Sequence, residues 1–177
     1  METLKANGLY RSLRTVAGTA PTAIVDNNQL VNLCSNDYLG LSTNKQVIEN
    51  TVASLFQVSQ CSSRLIAGNH PKISELEELL ASHRKTESAL IYPTGYTANL
   101  GVLTALADKN TTIYSDELNH ASIVDACRLS RATIAIFRHN DTNHLEELMK
   151  LDDGRKIVVT EGIFSMDGDI GKLSEIE

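Results

Sequence analysis

Four short stretches gather the side chains that could do chemistry: YPTGYTAN (residues 92–99), SDELNHAS (115–122), RHND (138–141) and TEGIFSMDGD (160–169). In the first, a strand is predicted to stop at Pro93 and a helix to begin near Gly95. The unpaired amides of a helix's first turn attract an anion, and a glycine lets a phosphate approach the backbone. Gly95 and Tyr96 are the candidate amide donors, with the hydroxyls of Thr94 and Thr97 beside them. The helix dipole alone adds about 0.3–1 kcal/mol. A threonine cap followed by a glycine turn accounts for the same residues, and the stretch is neither a Walker A loop nor a dinucleotide fingerprint. His120 opens the next expected helix, where its flat ring could lie on an aromatic ligand for about 0.5–1.5 kcal/mol beyond area burial. A capping or surface role is the plainer alternative. His139 is expected in a turn feeding a helix capped near Asp141, and His70, His83 and His144 are less well placed. In the last stretch Glu161, Asp167, Asp169 and Ser165 could offer oxygens to calcium or magnesium, but the spacing lacks the EF-hand frame, so no metal is expected. A turn using Gly162 and Gly168 is the simpler reading. Together, an anion cradle, a flat ring and an acidic loop could surround a phosphorylated aromatic ligand.

Such residues work only if the chain brings them to one place. A short helix is expected over residues 3–14, then a hairpin in TAIVDNNQLVNL about Asn27 and Asn28; residues 1–44 form this N-terminal arm. From Lys45 the pattern changes. KQVIENTVASLFQ and PKISELEELLASHR carry helical spacing, with Pro71 suited to a first turn. SALIYP, TTIYS, TIAIF and KIVVTEG read as strands, separated by the helical TANLGVLTALA, ASIVDACRLS and TNHLEELMK. Alternating strand and helix predicts an α/β domain over 45–177, its mainly parallel sheet covered on both faces. Ligands of such sheets lie beyond the carboxyl ends of the strands, where the four stretches fall.

Composition narrows the partners. A net charge of −6 and 42% hydrophobic residues in 177 describe an ordinary globular chain. That charge argues against nucleic acid or an anionic membrane as partner, since both favour clustered lysine and arginine. Cys34, Cys61 and Cys127 are far apart and form no C-x-x-C pair, as free thiols in a reducing cytosol would. No apolar run is long enough to span a bilayer and no signal-peptide core is present, so a soluble cytoplasmic protein is expected.

Seven stretches in order, SNDYLGLS, SRLIAGN, LEELLA, TGYTANLGVL, DELNHASIVDACRLSRA, FRHND and VTEGIFSMDGDI, resemble the α-oxoamine synthases. These are pyridoxal 5'-phosphate enzymes of the aminotransferase-like fold (fold-type I). The resemblance implies the first part of a large cofactor domain, its sheet incomplete, after a small helix-and-hairpin arm. It implies that Gly95 and Tyr96 hold the cofactor near its phosphate, that His120 stacks on its ring where the amino acid attaches, and that Ser165 bonds the ring edge. Arg11 lies near substrate on the same grounds, and Asn36 lines the pocket. The implied reaction condenses L-alanine with pimeloyl-CoA, with loss of carbon dioxide, for biotin synthesis; a neighbouring member joins glycine to acetyl-CoA. The family is dimeric. Its Schiff-base lysine, a second histidine, an aspartate for the pyridine nitrogen and a C-terminal domain fall beyond Glu177. None of Lys109, Lys150, Lys156 and Lys172 stands at a matching position. The resemblance therefore implies an N-terminal part of such an enzyme, inactive alone, with apolar surface and a sheet edge uncovered. Gln60, Cys61 and Ser62 stand where the family has small glycines, and Ser74 where it has histidine. A non-catalytic α/β module binding a phosphorylated ligand is the reading from another class.

Overall fold

The computed structural model describes residues 1–18, 21–55, 59 and 61–177. Gln60 and the end of the helical stretch KQVIENTVASLFQ at Phe56 and Gln57 lie outside the described residues. The chain divides into two compact units, Met1–Asn69 and His70–Glu177. The pattern change at Lys45 therefore falls inside the first unit.

In the first unit, helix α1 covers Glu2–Ala6 only, not the expected 3–14. Gly8, at φ 68°, breaks the turn, a left-handed geometry that glycine adopts without steric cost. Strands β1 (Val16–Ala17), β2 (Thr22–Val25) and β3 (Asn28–Val31) form an antiparallel sheet. The expected hairpin turns at Asp26 and Asn27, at φ 50° and 64°. Two positive φ values in a two-residue loop match the right-handed twist of the flanking strands. Helix α2 (Lys45–Ser54) follows, capped by the Asn44 side chain on Val47 N–H. Ala23 is the one buried hydrophobic residue among those described in this unit.

The second unit opens with α3 (Pro71–Arg84), which has the expected bounds. Then come α4 (Gly95–Leu106), β4 (Thr111–Asp116), α5 (Ala121–Leu129), β5 (Thr133–Phe137), α6 (Thr142–Lys150), β6 (Arg155–Val159) and the short α7 (Leu173–Ile176). The sheet is parallel, in the order β5-β4-β6. SALIYP makes no strand. A strand exists only by pairing, and the amide of Ile91 donates instead to Glu77 Oε1 at 2.8 Å. The sheet therefore contains three of the four expected strands, and both outer strands keep an unpaired edge among the described residues.

Side-chain alternation along β4 creates two cores. Ile113 enters one, with Leu103 and Ala107 from α4 and Ile123, Ala126 and Cys127 from α5. Tyr114 enters the other, with Phe137 from β5 and Leu145 from α6. Each fully buried large side chain stabilises the fold by about 1.5–3 kcal/mol. Tyr114 satisfies its hydroxyl by donating to Asp152 Oδ2 at 2.9 Å. Burial, helped by that carboxylate, pushes its phenol up to about 12. Among the described residues no helix is long and apolar enough to cross a membrane.

Candidate functional site

Register aligns the strand ends. Ser115 pairs with Val159, and Asp116 with Phe137, so the loops after β4, β5 and β6 emerge side by side. Here lie SDELNHAS, RHND and TEGIFSMDGD.

The first turn of α4 is held open by its own sequence. Thr94 Oγ1 accepts the Thr97 amide at 3.1 Å, and Thr97 Oγ1 accepts the Thr94 amide at 3.3 Å, a reciprocal capping box. The amides of Gly95 and Tyr96 have no partner among the described residues. A Cβ at Gly95 would meet nothing within 4 Å. The cap therefore leaves both candidate amides unused, because it takes the Thr94 and Thr97 amides instead. The Tyr96 hydroxyl donates to Asp125 of α5, and the neighbouring carboxylate raises its pKa.

His120 is the N-cap of α5: its Nδ1 accepts the Ser122 amide at 3.1 Å. Asn99 Nδ2 donates to Ser122 Oγ at 2.8 Å, and that hydroxyl lies 2.7 Å from His120 Nδ1. With Nδ1 as acceptor, the fitting tautomer carries its proton on Nε2. Asn99 stands one helical turn beyond Gly95 and Tyr96, so it shares their face of α4. The starts of α4 and α5 thus lie together. The capping alternative for His120 is realised, yet only through a ring nitrogen, and the residue remains exposed.

The loop after β6 joins them, since Glu161 Oε1 accepts the His120 amide. Its return is close-packed: Gly171 N–H donates to Gly162 O at 3.0 Å, and a Cβ at Gly171 would fall 2.0 Å from Glu161 O. Ser165 sits exposed in the turn closed by Gly168 N–H on Phe164 O at 2.8 Å. Its hydroxyl has no hydrogen bond among the described residues. Glu161 and Asp169 take separate partners, and among the described residues no group of three or more His, Cys, Asp or Glu is arranged to hold a metal. Arg11 and Asn36 belong to the first unit. Arg11 is exposed in a segment without regular structure, and Asn36 Oδ1 accepts from Tyr38 at 3.3 Å.

Sequence spacing did not expose two buried groups at the strand ends. Asp116 accepts Leu118 N–H at 2.9 Å, His139 Nδ1–H at 2.9 Å and Asn140 N–H at 3.0 Å. Asn119 Nδ2 donates to Ser115 Oγ at 2.9 Å and Val159 O at 2.8 Å. A polar residue ending a buried strand was the available signal, but their partners come from other loops. Asp141 caps α6 as expected, taking the His144 amide at 2.9 Å. His139 does more than occupy the turn before that cap: both its ring nitrogens are engaged by carboxylates.

Comparison with known proteins agrees with this architecture. The chain is 44% identical to the 8-amino-7-oxononanoate synthase of Marinobacter nauticus, over 99% of this chain and 45% of that protein. It is 43% identical to the enzyme of the same name from Geobacter metallireducens, over 99% and 46%. It therefore spans about half the length of these curated relatives. A serine palmitoyltransferase structure from S. paucimobilis with bound PLP superposes with a TM-score of 0.87 and 29% identity, covering 99% of this chain and 47% of that one. Residues 28–177 match the model of the aminotransferases of class I and II; with the parallel sheet and aligned loops, that match makes the chain a member of this family, with the fold-type I α/β architecture of its large domain.

Proposed function

We propose that the chain contributes the phosphate- and ring-binding half of a pyridoxal 5'-phosphate-dependent acyltransferase, one that joins L-alanine to pimeloyl-CoA with loss of carbon dioxide, giving 8-amino-7-oxononanoate for biotin synthesis. The observation that carries this reading is the convergence of two unpaired amides, Gly95 and Tyr96, with an exposed imidazole at one end of the sheet. These residues fit the group: the amides are free, the space over Gly95 is open, and the His120 ring is tethered through Nδ1 alone. The amides would take the phosphate, His120 would cover the ring, and Ser165 would bond its edge. When bound, the cofactor supplies an electron-withdrawing ring that draws off the pair left at the amino acid's α-carbon. The chain's own part is to bind and orient. The Asn99–Ser122 relay fixes the His120 ring plane, Glu161 fixes its backbone, and Tyr96 with Asp125 locks α4 to α5. The resemblance assigns Arg11, always charged and fork-shaped, to a substrate carboxylate, and Asn36 to the pocket lining. We place the enzyme in the cytoplasm, as a homodimer whose partners are an amino acid and an acyl-CoA.

The names and identities of the relatives favour alanine and pimeloyl-CoA. The test is CoA release by the complete gene product with pyridoxal 5'-phosphate. Turnover of alanine plus pimeloyl-CoA well above glycine plus acetyl-CoA is expected. The reverse preference would make it a glycine C-acetyltransferase, and saturable cofactor binding with neither activity would favour a non-catalytic module.

A further inference from the structure

Outside the proposed contacts, His139 has both ring nitrogens engaged by carboxylates. Its Nδ1 lies 2.9 Å from Asp116 Oδ1 and its Nε2 2.6 Å from Asp169 Oδ2. Two ionised carboxylates on one imidazole are satisfied together only by the ring protonated at both nitrogens. Phe164, 2% exposed, meets the ring edge-on at 4.4 Å between centroids. Asn140, at φ 53°, completes the junction: its Nδ2 donates to Asp169 Oδ2 at 2.7 Å and its Oδ1 accepts Lys172 N–H at 3.3 Å. The charged groups around the ring are Asp116 from β4, Glu117 after it, Asp169 and Lys172 from the loop, and Arg138 and Asp141 from its own turn. Glu117 accepts the His139 amide at 2.8 Å, and Arg138 is paired with Asp141 at 2.7 Å. Acidic groups predominate, and the hydrogen bond to Asp116, partly opposed by burial and reinforced by Asp169, raises the imidazole above its ordinary value of 6.5.

We propose that His139 is a positioning residue that clamps the 160–171 loop to the ends of β4 and β5, and so holds Glu161 and Ser165 in place. The loop is tied at its start by Glu161 on the His120 amide and at its end by Asp169 on the His139 ring. Releasing the second tie leaves the segment carrying Ser165 held by the first and by the Asn140 bonds to Asp169 and Lys172. The link to cofactor rests on the proposed function; the clamp itself does not.

Amide hydrogen exchange on the chain tests the clamp. Protection of Phe164, Gly168 and Gly171 should be greatest in mildly acidic solution below pH 6.5, fall as pH rises through the raised His139 value, and be about tenfold lower in His139→Gln and in Asp169→Asn. The pH dependence should vanish in His139→Gln, while Ile113 and Tyr114 of β4 keep their protection in both variants. Equal loss in β4, or loop protection indifferent to pH and to both substitutions, would overturn the proposal. Titration with pyridoxal 5'-phosphate provides the second readout. Weaker binding by the loosened variants is expected, and unchanged binding with a loosened loop would overturn the positioning role. Absence of binding to the unaltered chain, with loop protection behaving as stated, would remove the cofactor reading and leave the clamp standing.

Discussion

Replacing Asp116 by asparagine removes a charge and turns one acceptor into a donor at a residue that is 2% exposed. Three N–H groups point at this carboxylate: Leu118 and His139 at Oδ1, Asn140 at Oδ2. Whichever way the new amide turns, its NH2 faces at least one of them. A buried donor left unsatisfied costs about 1–3 kcal/mol, and weakening the charged bond to His139 adds about 1 kcal/mol. Asp116→Asn should therefore destabilise the second unit by about 3 kcal/mol. With a urea slope of roughly 1.5 kcal/mol/M, the midpoint followed by circular dichroism falls by about 2 M. The measurement belongs between the ordinary carboxyl and imidazole values of 3.8 and 6.5, where both charges are present. Asp169→Asn should move the midpoint less, because its side chain is 39% exposed and water can replace the lost bond. A negligible shift for Asp116→Asn, or a larger one for Asp169→Asn, would refute the assignment of Asp116 as the buried anchor.

Thr94→Ala removes the capping box of α4 and should cost about 1 kcal/mol in thermal or urea unfolding, whereas Thr94→Gly should cost only a few tenths. Gly171→Ala places a Cβ 2.0 Å from Glu161 O, and the backbone shift it forces should cost about 1–3 kcal/mol in the same assay. Stability should fall on both sides of a plateau in the urea midpoint against pH. Asp169 is held below 3.8 chiefly by the His139 ring, Asp152 chiefly by the Thr112 hydroxyl, and Asp141 chiefly by the His144 amide and then Arg138. These contributions are present above 3.8 and are lost as pH falls through the lowered folded values. That of His139 is complete below 6.5 and is lost as pH rises through its raised folded value. A midpoint that keeps rising through pH 8 would contradict the second limb.

Legibility in the sequence followed the range of the interaction. Thr94, His120 and Asp141 each accept an amide two or three residues away, so a cap can be read from neighbouring residues. The bounds of α3 and α6 were visible for the same reason: local periodicity with a start signal. Asp116 and Asp169 reach His139 across 23 and 30 residues, and no local pattern records such a pairing. SALIYP has strand composition but lacks a ladder neighbour, because pairing is decided by topology. Helix α1 was overextended because apolar spacing continued past Gly8, whose left-handed geometry ends the turn. The site was thus legible as loops at strand ends, while the bonds that fix those loops to one another were not.

Gly95, Tyr96 and His120 are proposed to form one receptor for a phosphorylated planar ring. Titrating the chain with pyridoxal 5'-phosphate and, separately, with pyridoxal, by absorbance and calorimetry, decides whether they do. Saturable binding of the phosphorylated form is expected, with weaker binding without the phosphate and further weakening in His120→Ala. Equal affinity for the two ligands, or binding of the phosphorylated form indifferent to His120→Ala, would contradict that proposal.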